Sequence, residues 1–356
     1  MITGHGGNIY AVAAQLGCRP SEIIDMSSNM NPLGPMSGLI SHLQKRLDTI
    51  GTLPDAGAAE ATVSFAARYR ITPERALAGN GTTQLIYAIP RALKSKRALI
   101  LGPTYADYAD ACRLNGVSYE YILSGEDRSF EPDLNALMDS CHRFDTVFIC
   151  NPNNPTGRLI AADQIKVLCG RHPSGRIIVD ESYLSFVAGD GRQSMIGVDL
   201  DNLIVLNSMS KIFKSPGLRL GFAIASEEVI KKLRRFIPPW SVNSLALAAV
   251  EYLMRLTAEV EQFIQQTTEF VSKESMLLCE KFADHDGIRF YPSTTVFLLG
   301  RLKGRLTAPA VKDHLLKEKI LIRDCSNFSG LSDRFIRIAV KTEAVNRRLV
   351  EALVEL

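Results

Sequence analysis

Asn207-Ser208-Met209-Ser210-Lys211-Ile212-Phe213-Lys214-Ser215-Pro216-Gly217-Leu218-Arg219-Leu220-Gly221-Phe222 follows directly on an apolar run at residues 203–206. The run reads as a buried strand. Two hydroxyls, Ser208 and Ser210, therefore gather with Lys211 and Arg219 just past a strand end. A lysine amine forms a Schiff base with an aldehyde, and hydroxyls with a guanidinium hold a phosphate. Together they suit a cofactor carrying both groups, which is pyridoxal 5'-phosphate. A plain polar strand-to-helix loop explains the same residues, so the choice falls to the rest of the chain.

Working outward, short apolar runs at 97–101, 146–150 and 176–179 join the one at 203–206. Helical patterns lie at 83–93, 105–115, 161–170 and after 227. This alternation predicts an α/β fold, with a large domain whose mostly parallel sheet is flanked by helices. Ligands in such sheets bind beyond the carboxyl ends of the strands. Each run ends in a polar or Gly/Pro-rich segment: 102–105, 151–157, 180–183 and the lysine loop. Four strand-end segments can thus converge on one pocket. From 244 the pattern changes to a long helical region reaching 282, then strand-like runs at 288–291, 296–299, 320–323 and 335–340. Helices at 308–318 and at the C-terminus complete a smaller α+β domain. The expected division is 1–45 as an N-terminal arm and part of the small domain, 46–243 as the large domain and 244–356 as the small one. Residues 26–37, with two prolines, read as a connector from the arm.

The chain has 356 residues, 46% hydrophobic and 22% charged, ordinary for a globular protein of two domains. A net charge of +3 is too small for the basic footprint of a nucleic-acid binder. Lys231-Lys232-Leu233-Arg234-Arg235 reads as a solvated helix face. No run is apolar enough to span a bilayer, and the first eight residues lack the pattern of a secretory signal, so a cytoplasmic location with no membrane partner is expected. Seven dispersed cysteines without C-x-x-C spacing and six dispersed histidines argue against a disulfide framework and against a metal site.

Four further segments carry possible chemistry, each with a bland alternative. Gly81-Thr82-Thr83 at a helix start offers backbone N–H groups and hydroxyls to an anion, or is simply a cap. Asn154, in the rigid run Asn151-Pro152-Asn153-Asn154-Pro155-Thr156-Gly157, can donate to a cofactor oxygen, or belongs to a turn. Asp180 at a strand end can pair with a pyridinium nitrogen, with Tyr183 three residues on, or is a structural ion pair. Tyr105 can stack on a flat heterocycle, or fill a core.

The joint order of these residues resembles the fold-type-I pyridoxal-phosphate enzymes of the aminotransferase class I/II group. Asn154-Pro155-Thr156-Gly157, Ser208-x-Ser210-Lys211 and Gly217-Leu218-Arg219-x-Gly221 carry the resemblance, and matching motifs run from about 26 to 340. The resemblance implies that Lys211 carries the cofactor, Asp180 faces its ring nitrogen, Asn154 and Tyr183 hold its ring hydroxyl, and Tyr105 stacks on it. Gly81, Thr82, Thr83, Ser208, Ser210 and Arg219 would receive its phosphate. Lys211, Asp180 and Tyr183 would be the catalytic set, and Lys214, outside the Ser-x-Ser context, a surface lysine.

Two branches of that group share the run Asn29 to Pro35 and the C-terminal arginines: histidinol-phosphate aminotransferases and threonine-phosphate decarboxylases. His5-Gly6-Gly7-Asn8 and the segment from Ile322 to Phe328 leading to Arg337 resemble the decarboxylases. That branch implies decarboxylation of L-threonine O-3-phosphate to (R)-1-amino-2-propanol O-2-phosphate for cobalamin synthesis. Histidinol-phosphate transamination and decarboxylation of L-serine O-phosphate are the alternatives. By resemblance, Arg337 binds the carboxylate of a phosphorylated amino acid, and Arg323 and His5 bind its phosphate with Asn31 nearby. Leu53-Pro54-Asp55 stands where relatives often have Tyr-Pro-Asp. Leucine cannot donate the hydrogen bond that this tyrosine gives to the neighbouring subunit's cofactor. A homodimer is still expected.

Overall fold

A computed structural model of the chain describes residues 6–189 and 192–356. Its largest sheet has seven strands, in the order Ala76–Asn80, Leu220–Ile224, Leu203–Ser208, Arg176–Asp180, Thr146–Cys150, Arg97–Gly102 and Ser118–Leu123. Six of them run in one direction, and Leu220–Ile224 lies antiparallel between its two neighbours. Val147, Phe148 and Ile149, like Ile177, Ile178 and Val179, are buried in succession. Both faces of these strands are therefore covered, which explains their unbroken apolar sequence. Each such side chain contributes roughly 1.5–3 kcal/mol by burial. Helices Gly81–Leu93 and Glu227–Arg234 cover one face; Val229, Ile230 and Leu233 point inward from the latter. On its solvent side, Lys231 and Lys232 pair with Glu227 and Glu228 one turn back.

Three strands of this sheet carry no clear signal in the sequence pattern. Ala76–Asn80 and Leu220–Ile224 contain glycines that weaken a strand signal, and Ser118–Leu123 is a half-exposed edge. The expected helix from 244 to 282 is two helices, Ser244–Arg255 and Thr257–Lys281, parted where Leu256 leaves helical geometry (φ −90°, ψ 58°).

A four-stranded antiparallel sheet follows the order Arg323–Asp324, Phe335–Ala339, Phe297–Leu302 and Ile288–Phe290. The expected strand at 320–323 is divided between two sheets. Ile320–Leu321 pairs in parallel with Ile24–Asp25, and Arg323–Asp324 pairs with Phe335–Ala339. This division ties the N-terminal segment to the C-terminal third of the chain and moves Arg323 onto the strand beside Arg337. No helix among the described residues is long and apolar enough to cross a membrane. The described cysteines are all free, and no cluster of metal-ligating side chains occurs among the described residues.

Candidate active site

The strand Leu203–Ser208 delivers its last residue into a cleft and turns at once into the short helix Met209–Ile212, whose exposed side is occupied by Lys211. The next strand in the sheet ends at Asp180, and the one beyond it leads to Asn154. Helix Gly81–Leu93 starts at the same end of the sheet, with no side-chain cap on its first turn. These elements enclose a cavity of about 510 Å³ lined by Gly81, Thr82, Thr83, Tyr105, Asn154 and Asp180, and by Tyr183, Ser208, Ser210, Lys211 and Arg219. Every residue expected to hold the cofactor thus reaches one cavity.

At one end are anion-binding groups. The uncapped N–H groups of the helix start lie beside Arg219, whose guanidinium would be 2.5 Å from a Cβ at Gly81. A Cβ at Gly221 would stand 2.6 Å from the Thr82 nitrogen, so glycine is required at both positions for this close approach. Arg219 itself has φ +56°, an uncommon conformation for a residue with a side chain. It forms no ion pair among the described residues, and the buried Ser210 Oγ has no partner within the protein. A helix N-terminus, a guanidinium bonded only weakly to the Pro216 carbonyl at 3.5 Å and an unsatisfied hydroxyl are the donor set a phosphate monoester needs.

At the other end the carboxylate of Asp180 is buried and fully engaged. Oδ1 accepts from the Ser182 nitrogen at 3.0 Å and from Ser182 Oγ at 2.5 Å, and Oδ2 accepts from the Tyr108 hydroxyl at 2.8 Å. Burial raises the carboxyl above the usual range, while these donors and Lys211 oppose the rise. A protonated ring nitrogen would supply the missing counter-charge. Tyr108 escaped the sequence reading. It is completely buried, stacks on Phe148 at 5.3 Å and meets Tyr105 edge-on at 5.8 Å. Its three-residue spacing from Tyr105 was the available signal. Desolvation also holds the Tyr105 hydroxyl well above its ordinary value and pushes the Cys150 thiol up to about 12. Lys211 Nζ lies 5.9 Å from the centre of the Tyr183 ring. Lys214, by contrast, is exposed.

A second cavity, of about 770 Å³, opens from the first and shares Tyr105, Asn154, Tyr183 and Lys211 with it. Its other walls include Arg323, Asn327, Phe328, Arg337 and residues 27–30. Arg323 and Arg337 are register partners on adjacent antiparallel strands. Like charges directly opposite destabilise a sheet, so the pair calls for an anion between or above them. Neither forms an ion pair among the described residues. Arg337 is buried; it donates to Asn154 Oδ1 and, at 2.7 Å, to the Ser27 carbonyl, and its Nε lacks a partner. By engaging the Asn154 oxygen it turns the amide nitrogen of Asn154 to other acceptors. Arg323 donates to Asn327 Oδ1 at 2.5 Å and lies over the Phe328 ring; burial, and then Arg337, lower its affinity for its proton.

His5 lies outside the described residues. Asn31, expected near the substrate, does not line this cavity. Asn31 is fully buried elsewhere: both of its amide hydrogens are used, on the Ile212 carbonyl at 2.8 Å and on Thr267 Oγ1 at 2.9 Å. Its own nitrogen donates to the Lys211 carbonyl at 3.1 Å, so it braces the lysine loop instead of meeting substrate. Asn29, two residues earlier in the same motif, is the one that lines the cavity; its amide donates to the Tyr183 hydroxyl at 3.2 Å.

The profile of the family described as Aminotransferase class I and II matches residues 21–353. The chain belongs to this family. It is 31% identical to the threonine-phosphate decarboxylase of Salmonella typhimurium, over 99% of this chain and 96% of the relative. It is also 31% identical to the adenosylcobalamin biosynthesis bifunctional protein CobDQ of Leptospira interrogans, over 98% of this chain, but spans only 40% of that longer protein. Among solved structures, the L-threonine-O-3-phosphate decarboxylase of Porphyromonas gingivalis superposes with a TM-score of 0.82 at 30% identity, covering 93% of this chain and 98% of the other. The histidinol-phosphate aminotransferase of Clostridium acetobutylicum superposes equally well, with a TM-score of 0.84 at 28% identity and the same coverages. The fold is that of the fold-type-I members of the family, and fold likeness alone does not separate the two activities.

Proposed function

We propose that the chain is a pyridoxal-phosphate-dependent decarboxylase of L-threonine O-3-phosphate, yielding (R)-1-amino-2-propanol O-2-phosphate, in cobalamin synthesis. The observation that carries this reading is the register pair Arg323 and Arg337, two unpaired guanidiniums in one cavity with Lys211. A phosphorylated amino acid has two anionic groups to match them. Arg337 takes the carboxylate, and Arg323 takes the phosphate with help from the donors around Asn327. The resemblance of the whole chain to threonine-phosphate decarboxylases supports the choice of substrate.

The unsatisfied Ser210 hydroxyl, the Gly81 and Gly221 close approaches and the Arg219 guanidinium fit the cofactor's phosphate, and Asp180 fits its ring nitrogen. When bound, the cofactor supplies an electron-accepting ring for the bond that breaks at the α-carbon. The protein's residues decide which bond that is. Two anchors, Arg323 and Arg337, fix the rotation of the substrate about its α-carbon, and only one substituent can then stand perpendicular to the ring plane. Asp180 keeps the ring nitrogen protonated, and Tyr108 and Ser182 keep Asp180 in place. Lys211 Nζ returns a proton to the α-carbon once carbon dioxide has left.

We also infer a homodimer. Ile50 and Leu53 are 65% and 75% exposed, and the half-exposed Trp240 joins the same region through its backbone nitrogen, which donates to the Ala56 carbonyl. Clustered exposed apolar groups mark a surface that another chain covers. Leu53 would then be covered without giving a hydrogen bond.

The test is to mix cofactor-loaded protein with L-threonine O-phosphate. Stoichiometric carbon dioxide should appear, with no conversion of the cofactor to its amine form. Accumulation of pyridoxamine phosphate with glutamate, or turnover of histidinol phosphate, would overturn the decarboxylase reading in favour of an aminotransferase.

A further inference from the structure

Residues 27–29 form one wall of the substrate cavity, and their backbone is held from behind. The Ser27 carbonyl accepts from Arg337 at 2.7 Å, and the Ser28 carbonyl accepts from Lys341 Nζ at 3.1 Å. Asp25 Oδ1 gathers the Ser27 nitrogen at 2.9 Å, the Ser28 nitrogen at 3.1 Å and Ser27 Oγ at 2.6 Å. Two things depend on this turn. On one side it seats the N-terminal arm: the Gly7 nitrogen donates to Ser27 Oγ at 2.7 Å. A Cβ at Gly6 would stand 2.6 Å from the Ser27 carbonyl oxygen, and one at Gly7 2.6 Å from Ser28 Oγ. The glycines of the arm are therefore dictated by its seat. On the other side, Asn29 reaches the Tyr183 hydroxyl.

Of the two cations fixing the turn, Lys341 alone lines neither cavity and has no part in the chemistry above. It stands just beyond the strand Phe335–Ala339 that carries Arg337, on a rigid base. Its nitrogen donates to Asn346 Oδ1 at 2.9 Å, and Asn346 Nδ2 donates back to its carbonyl at 2.8 Å and to Glu274 at 2.7 Å. An ammonium is strongly hydrated, and one aimed at a backbone carbonyl gives up much of that hydration.

We propose that Lys341 is a positioning residue of the substrate cavity. By holding the Ser28 carbonyl it fixes the turn that seats the glycine arm and aims the Asn29 amide at Tyr183. The proposal rests on the reading of the adjoining cavity as the pyridoxal-phosphate site only for its spectroscopic test. Desolvation pushes the Lys341 amine down to about 8; Asp25 favours its charge and Lys214 opposes it, with Glu274 held off by Asn346. Below that pH the amine is charged and donates strongly; above it the neutral amine donates weakly.

The visible absorbance of cofactor-loaded protein is titrated with pH in wild type, Lys341→Met, Lys341→Arg, Asn29→Ala and the Lys341→Met/Asn29→Ala double variant. Lys341→Met and Asn29→Ala should move the midpoint in the same direction, by about 0.3–1 pH unit, the worth of one hydrogen bond. The double variant should move it no further than Asn29→Ala, and Lys341→Arg should restore the wild-type midpoint. Additive shifts, or a Lys341→Met protein of lowered Tm with an unmoved midpoint, would show a merely structural lysine and overturn the proposal. Hydrogen exchange in cofactor-free protein gives a second readout. Lys341→Met should speed exchange of the Gly7 and Ser28 amides at least about threefold while core amides keep their rates. Unchanged exchange at both amides overturns the proposal. A wild-type protein with no visible band would sink the cofactor reading alone, and the exchange rates would still decide the role of Lys341.

Discussion

The cofactor cavity takes its walls from residues 81–219, all at one end of the seven-stranded sheet, whereas the adjoining cavity joins Ser27 to Arg337 across 310 positions. The first is built on strand ends whose order in the sheet is fixed by a buried, close-packed core. The second is built where the N-terminal segment meets the four-stranded sheet, and charge dominates it. Rigid placement suits a cofactor that stays the same through every turnover. The second cavity holds two opposed arginines whose repulsion a bound anion relieves. On the proposed function, the chemistry would reside in the first cavity, and the choice of substrate and of bond in the second.

The largest effects should break the second cavity while leaving the first intact. Arg337→Lys loses a two-pronged contact, and Arg323→Gln removes a charge. Each should raise KM for L-threonine O-phosphate about 10- to 100-fold, the worth of a charged hydrogen bond, and Arg323→Gln, whose side chain is bonded to Asn327 and not to Asn154 or Ser27, should leave the cofactor spectrum unchanged. The two should differ with an unphosphorylated amino acid as probe. Arg323→Gln should leave its weak binding nearly unaltered, and Arg337→Lys should weaken it, as steady-state inhibition would measure. Equal losses for both ligands in both variants would contradict the division of roles.

A smaller effect should come from Tyr108→Phe in the first cavity. The ring keeps its stack on Phe148 and loses only the donor to Asp180. Cofactor affinity should fall about 5- to 10-fold, read by fluorescence titration, with KM for substrate little changed.

The smallest effect concerns stability. Burial raises the Asp180 carboxyl in the cofactor-free protein. A raised carboxyl favours folding at low pH, and that advantage is lost as pH rises through its folded value. Asp180→Asn removes this penalty and keeps acceptors for Ser182. At pH 8 it should raise the Tm of cofactor-free protein by about 1–2 °C, and the gain should vanish at acid pH while activity is lost. A lower Tm at pH 8 would mean that the lost charge-assisted hydrogen bonds outweigh desolvation.

The legibility of the two cavities in the sequence differed for a physical reason. Lys211, Asp180 and Asn154 each follow a short apolar run that reads as a buried parallel strand, and such strands present their carboxyl ends to a ligand. The one local signal for Tyr108, its three-residue spacing from Tyr105, is equally that of an ordinary helix face. Asn29 and Asn31 sit two apart in one motif, and nothing local shows which amide will be consumed by the Ile212 carbonyl and Thr267. The division of the strand at 320–323 was equally invisible, since it depends on a partner at Ile24–Asp25 about 300 residues away.

By itself, then, the sequence determined an α/β chain with a lysine, an aspartate and a phosphate cradle at strand ends, because buried strands and glycine-rich turns are local signals. Only the tertiary structure decided that Arg323 stands opposite Arg337, that Asn29 replaces Asn31 at the cavity, and that Ser27 and Ser28 hang from two cations on and just beyond a distant strand. Those placements depend on which sheet edge each short segment joins, and that is settled by long-range pairing, which no residue carries alone.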